Sequence, residues 1–130
     1  MSIEDNKTLV RRFIEAIQEN DTDTIDEISV AEIANPMKER TIPFVTNTFG
    51  ENHIEIIDMV AEGDKVWARL STSGGHTGEF MGIPPSGKQW TNTGMYFLTI
   101  NDGKIASLES EFDLYNHLTQ LGATIVRPSE

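Results

Sequence analysis

Apolar residues recur at helical spacing near the start of the chain and at every second position beyond residue 53. Leu9, Val10, Phe13, Ile14 and Ile17 fall on one helical face, with Lys7, Arg11, Glu15 and Gln18 elsewhere. Ser2-Ile3-Glu4-Asp5 approximates a capping box, and Glu19-Asn20-Asp21 breaks the periodicity. A second, short helix is expected over 24–29, burying Ile25 and Ile28 and capped by Asp21 or Asp23. Asn35-Pro36 reads as a turn, and Pro43 suits the first turn of a short helix carrying Phe44, Val45 and Phe49. Phe49-Gly50-Glu51-Asn52 ends that helix.

The period-two region predicts a meander. A strand over 53–61 is followed by the turn Glu62-Gly63-Asp64 and a returning strand over 65–76. In that return Val66, Ala68 and Leu70 face one way, and Trp67, Arg69 and Ser71 the other. Gly82-Ile83-Pro84-Pro85-Ser86-Gly87 cannot be regular strand and marks a structured loop over 77–87. The next strand, 88–100, places Trp90, Asn92, Gly94, Tyr96 and Leu98 on one face. Asn101-Asp102-Gly103 makes a hairpin turn, 104–112 is the last strand, and 113–121 a short helix stopped by Gly122. Helices first and antiparallel strands second give the class α+β. The N-terminal helices are the elements available to cover the apolar face of the sheet. The 130 residues suffice for one domain, 1–130, and not for two.

Composition removes several function classes. Acidic residues outnumber basic ones 21 to 10, and the only adjacent basic pair is Arg11-Arg12. A phosphate backbone or anionic membrane needs clustered Lys and Arg, so no nucleic acid and no membrane partner is expected. The start MSIEDNK has no basic and apolar leader, and no apolar run is long enough for a span, so the expectation is a cytoplasmic protein. Without cysteine there is no thiolate site, and the three histidines have no metal-ligand spacing. No metal site is expected.

Several stretches resemble the SnoaL-like polyketide cyclase family. They are Val60-Ala61-Glu62-Gly63-Asp64-Lys65-Val66, His76-Thr77-Gly78-Glu79-Phe80-Met81-Gly82-Ile83-Pro84-Pro85-Ser86-Gly87-Lys88, Asp102-Gly103-Lys104-Ile105, Asp113-Leu114 and Gln120-Leu121-Gly122. The opening Glu4-Asn6-Lys7-Leu9-Val10-Arg11-Arg12-Phe13 is similar too. This family shares its superfamily with ketosteroid isomerase and nuclear transport factor two. The resemblance implies a cone-shaped α+β barrel, a homodimer formed through the sheet, and a pocket for a small apolar molecule between helices and sheet. It also implies closure of a polyketide ester ring by an intramolecular aldol step without metal or organic cofactor. The implied acid/base is Asp113. A family histidine often stands near Asn35, and the chain departs from the family pattern at Thr99, Ser107 and Glu109.

Asp113 has a second reading. It stands immediately before a helix, where a carboxylate accepts backbone N–H bonds and is held as an anion. Glu109 and Glu111 share its parity on the last strand and point with it unless a bulge intervenes. They read either as pocket carboxylates of raised pKa or as a solvated strand face. His117 lies four residues on, so the two side chains can meet on one helix face as an acid/base pair or as an ordinary surface pair. The expected catalytic set is therefore Asp113, His117 and Glu109. Tyr96, His76, Trp90, Asn35 and Phe13 form the expected binding set, Tyr96 as a hydroxyl donor. His76 reads equally as a clamp on the Gly-Pro-rich loop. The functional expectation is proton transfer on a small apolar carbonyl compound, and the alternative is a non-catalytic ligand-binding module on the same fold. A structural dimer with a filled cone is a third reading.

Overall fold

The computed structural model describes residues 2–129. Helix α1 (Ile3–Glu19) starts from a full capping box. The Asp5 N–H donates to Ser2 Oγ at 3.0 Å and the Ser2 N–H to Asp5 Oδ2 at 3.2 Å. It ends at Asn20 in the left-handed region, φ 54°. Helix α2 (Thr22–Ile28) follows at once, capped by Asp21, whose carboxylate accepts from the Thr24 N–H at 3.2 Å. These contacts hold the carboxyls of Asp5 and Asp21 below the usual range, through the hydrogen bonds from Ser2 and Thr24 respectively.

The short helix expected at Pro43 is present as α4 (Ile42–Phe49), but residues 31–41 depart from expectation: in place of a turn at Asn35-Pro36, α3 (Ala31–Pro36) runs through a π-helical turn (Met37–Thr41) into α4 without a break. The reason lies in Pro36 and Pro43. Each lacks an N–H and crowds the carbonyl four residues back, so the ladder is widened: the Ile42 N–H reaches Met37 O, five residues away. Helical backbone survives across both prolines, and Thr41 and Ile42 are delivered to the cavity described below.

The strands β1 (Asn52–Glu62), β2 (Lys65–Gly74), β3 (Trp90–Asn101) and β4 (Lys104–Phe112) form one antiparallel sheet in the order β1-β2-β3-β4. A short helix, α5 (Leu114–Gln120), closes the chain. The second strand stops at Gly74, so His76 belongs to the loop and not to the strand as expected. Ile57 is a bulge: Ile56 pairs with Leu70 and Asp58 with Arg69, and the extra residue bends the edge strand. The sheet is curved but does not close into a barrel, because four strands are too few to meet; helices complete the cone instead.

The inner face has the parity read from the sequence. Val66, Ala68 and Leu70 are fully buried, as are Leu98 and Ile105 or nearly so, against Val10, Phe13 and Ile14 of α1 and Ile25 of α2. Burying each large aliphatic or aromatic side chain contributes about 1.5–3 kcal/mol. Toward the other end of the sheet a second cluster of Phe49, Trp90 and Leu121 forms, flanked by Val45, Phe80 and Ile83. The cavity lies beside this second cluster. Among the described residues no helix is long and apolar enough to cross a membrane.

Candidate active site

A cavity of about 320 Å³ opens between α1, α4, α5 and the inner face of the sheet. Phe44, Phe49, Phe80, Trp90, Tyr96 and Phe112 supply most of its wall. The rings meet edge to face: Phe49 and Trp90 at 4.9 Å, Phe49 and Phe80 at 5.1 Å, Tyr96 and Phe112 at 6.2 Å. Such packing leaves more room between side chains than interlocked aliphatic groups do.

Polar groups are few. Gln18 is spent on structure, donating to Asn52 O and accepting from the Ile54 N–H, both at 2.5 Å, which pins β1 to α1. Asn92 is buried on β3; its Oδ1 accepts from Asn116 Nδ2 at 3.1 Å, and its own Nδ2 has no partner among the described residues. Tyr96 is buried in the same wall, and burial pushes its pKa up to about 12, so the phenol stays protonated and can only donate or accept a hydrogen bond. Its hydroxyl has no partner among the described residues. Ser110, opposite Tyr96, and Thr72, opposite Asn92, add to the polar lining.

His117 is set as deep in the wall as Tyr96. It is 7% exposed, its ring centroid 4.0 Å from Trp90 and 5.0 Å from both Phe49 and Phe80. Its Nε2 is sealed and has no hydrogen-bond partner. Burial first, and the nearby His76 second, lower its pKa, so the imidazole is neutral at pH 7. Helix α5 is too short to hold this ring by itself. Asn116 and Gln120 dock the helix on β3: both donate to Thr91 O, at 3.3 and 2.6 Å, and the Thr91 N–H donates to Gln120 Oε1 at 3.0 Å.

The loop of residues 75–89 forms the remaining wall. The Gly75 N–H donates to Phe49 O, and those of Thr77 and Gly78 to Thr48 O, all at 2.9 Å, which ties the loop to the end of α4. Gly78 has to be glycine, since a Cβ there would lie 2.6 Å from Asn47 O. Phe80 and Ile83 exchange both backbone hydrogen bonds around Met81 and Gly82, at φ 50° and 84°, and this tight turn holds Phe80 against the cavity. His76 is fully buried; its Nδ1 accepts from the Ser86 N–H at 3.2 Å and lies 2.7 Å from Ser86 Oγ. It is therefore a loop clamp carrying its hydrogen on Nε2, which has no partner.

Of the residues expected from the sequence, the structure brings Tyr96, Trp90 and His117 together around the cavity. It places the others elsewhere. Asp113 caps α5: its carboxylate is exposed and accepts from the Asn116 N–H at 3.0 Å, at the rim between Phe112 and Leu114. Its carbonyl accepts from the His117 N–H at 3.1 Å, but its carboxylate makes no hydrogen bond to the His117 ring among the described residues. Glu109 stands opposite Phe97, and Glu111 opposite Met95, on the outer face of the sheet. Leu108, Ser110 and Phe112 own the inner parity through their pairing with Leu98, Tyr96 and Gly94, and no bulge falls between 107 and 112 to reverse it. Phe13 is fully buried in the main core, outside the cavity lining, and Asn35 is exposed on α3 because the continuous helix turns that side chain to solvent. His76 grips its loop and does not line the cavity.

Asn92 and the docking pair Asn116 and Gln120 escaped the sequence reading. Asn92 carried a signal: it is a polar residue at an apolar-parity position between Trp90 and Tyr96, and buried amides need partners. Among the described residues no group of three His, Asp or Glu side chains is placed to hold a metal ion.

The profile of the SnoaL-like polyketide cyclase family matches residues 7–121. The chain belongs to this family. Among curated SnoaL-like relatives, the aklanonic acid methyl ester cyclase DnrD of Streptomyces peucetius is 28% identical over 128 residues, covering 88% of each sequence. The solved structure of TsrD from Streptomyces laurentii superposes with a TM-score of 0.85 at 28% identity, covering 95% of this chain and 99% of that one. IdmH from Streptomyces antibioticus has the same fold, with a TM-score of 0.79 at 24% identity, over 91% of this chain and 99% of that one.

Proposed function

We propose that the protein is a cofactor-free cyclase acting by proton transfer on a small, largely apolar carbonyl compound held in the aromatic cavity. The observation that carries this reading is His117, a neutral imidazole set among Phe49, Phe80 and Trp90 in a cavity that Tyr96 and Asn92 also line. In an aldol closure a base removes a proton from carbon next to a carbonyl, the enolate carbon attacks a second carbonyl, and the new alkoxide takes the proton back. His117 acts as that base through Nδ1, with its hydrogen held on the sealed Nε2. Its lowered pKa keeps the base form dominant at neutral pH. The Tyr96 hydroxyl and the Asn92 amide stabilise the oxygen on which charge develops. The surrounding rings exclude water, which strengthens both interactions.

Asp113 enters as a positioning residue, since its cap starts the helix that carries His117. A second copy of the chain is proposed to cover the outer sheet face, where Trp67 and Phe97 meet at 4.7 Å and Val60 is 62% exposed. Arg69 lies across Met95 from Glu111, so a two-fold axis can pair the cation of each copy with the acid of the other.

The test uses aklanonic acid methyl ester, the compound named in the DnrD relative, as first substrate. His117→Gln is expected to lower kcat by about 10²–10⁴-fold, the usual contribution of general base catalysis. Asp113→Asn, which keeps a capping side chain, should leave kcat within about threefold. The opposite result, with the Asn variant dead and the Gln variant active, transfers the acid/base role to Asp113. Turnover untouched in both removes the proposed mechanism.

A further inference from the structure

Gly94 sits in the middle of β3, on the inner face, opposite Leu70 of β2 and Phe112 of β4. A central strand glycine costs conformational entropy and gives nothing to pack. Its backbone does not require it, since Gly94 is not among the residues of positive φ. Space is the reason. A Cβ at position 94 would stand 2.7 Å from Phe112 Cγ and closer still to Cδ1 and Cε1. The ring of Phe112 thus occupies the volume that a side chain at 94 would fill, flat against the strand.

Phe112 also lines the cavity, stands edge-on to Tyr96 at 6.2 Å, and is 42% exposed at the mouth. On its inner side the ring therefore rests on bare backbone and on Tyr96, with no interlocking side chain beneath it. If any side chain occupied 94, the ring would have to swing off the strand, and the open direction is into the cavity, over the Tyr96 hydroxyl.

We infer that Gly94 is a specificity-determining residue, setting through Phe112 how large a ring system can reach Tyr96. This inference rests on the reading of the cavity as a ligand site and concerns its size limit, not its chemistry. Ligands of one ring clear a displaced Phe112, whereas ligands of two fused rings need the ring laid down.

The probes are acetophenone and 2-acetylnaphthalene, aryl ketones of one and two rings, followed by quenching of tryptophan fluorescence, since Trp90 lines the cavity. Gly94→Ala is expected to weaken 2-acetylnaphthalene by about 10-fold or more and acetophenone by less than about twofold, the scale on which pockets reject added bulk. Gly94→Ala with Phe112→Leu should recover most of the two-ring affinity, because the smaller side chain yields. Equal weakening of both ketones, or no recovery in the double variant, overturns the inference. Wild-type binding unchanged by Gly94→Ala overturns it too and leaves the ligand site standing; wild-type protein that binds neither ketone sinks both. A reading that needs no ligand comes from NMR of the free protein. The Gly94 Hα protons should be shifted upfield by the Phe112 ring and return to ordinary values in Phe112→Leu. Unshifted protons in the wild type count against the geometry itself.

Discussion

One face of the sheet is finished in two ways. Toward the β1–β2 turn, Val66, Ala68 and Leu70 interlock with α1 and α2 and leave no space. Toward the α5 end, Phe49, Phe80, Trp90 and Phe112 meet edge to face and enclose about 320 Å³. The strands, their pairing and their pleat are the same in both halves. Aliphatic groups fill a curved surface at close-packed density, whereas rigid rings standing on edge span gaps they cannot fill. The filled half supplies the stability that the hollow half gives up.

That contrast can be broken by truncation. Leu70→Ala, in the filled half, should cost about 2–5 kcal/mol by urea unfolding. Phe80→Ala, in the hollow half, is expected to cost less than half as much, because its ring already borders empty space. Equal losses would mean that both halves are packed alike.

The next effect sharpens the contrast through pH. His117 is protonated less readily in the folded chain than in the unfolded one. Its contribution is therefore fully present above the ordinary histidine pKa of about 6.5 and is lost as pH falls below it, when the unfolded chain takes up the proton first. His117→Phe should flatten stability between about pH 6.5 and 5 relative to wild type. Tyr96 works at the other extreme. With its folded pKa near 12, stability should decline once pH exceeds about 10, the ordinary tyrosine pKa, and Tyr96→Phe should remove that decline. Tyr96 sits where the two halves meet, paired with Ala68, and the filled half beyond it should contribute no such slopes.

Smaller changes are expected at the edges. Asp113→Ala should lose about 1 kcal/mol as a missing cap, and Asp113→Asn much less. Trp67→Glu on the outer face should leave thermal unfolding of the monomer nearly unchanged and shift sedimentation toward single chains if the sheet pairs with a second copy. Unaltered sedimentation in that variant would remove the outer face as the interface.

The filled half was legible in the sequence because periodicity alone determines it. Val66, Ala68 and Leu70 alternate, Leu9 to Ile17 repeat at helical spacing, and the capping signals of Ser2 and Asp21 are local. The hollow half was legible in part. Trp90, Tyr96 and His117 line the cavity, a position that parity on β3 and the short last helix could announce. Glu109 was misplaced because β4 offers polar residues on both parities, and only its register with β3 decides which face is inner. Residues 31–41 were misread because Asn35-Pro36 signals a break, while a π-helical turn carries the helix through it to Pro43. Loop 75–89 owes its shape to carbonyls of residues 48 and 49, a distant partnership that no local pattern announces.

The docking of α5 has a consequence for substitution. Asn116 and Gln120 both bind the main chain of Thr91, Asn116 also donates to Asn92 Oδ1, and the Thr91 side chain takes no part in those bonds. Residue 91 is therefore free to vary in any way a strand tolerates, while 116 and 120 are not. The imidazole rides on a segment whose attachment code is written on the helix and, on the sheet, in the side chain of Asn92 alone. A helix with Asn and Gln four apart can carry a different reactive group to the same spot, with the sheet beneath it left unaltered.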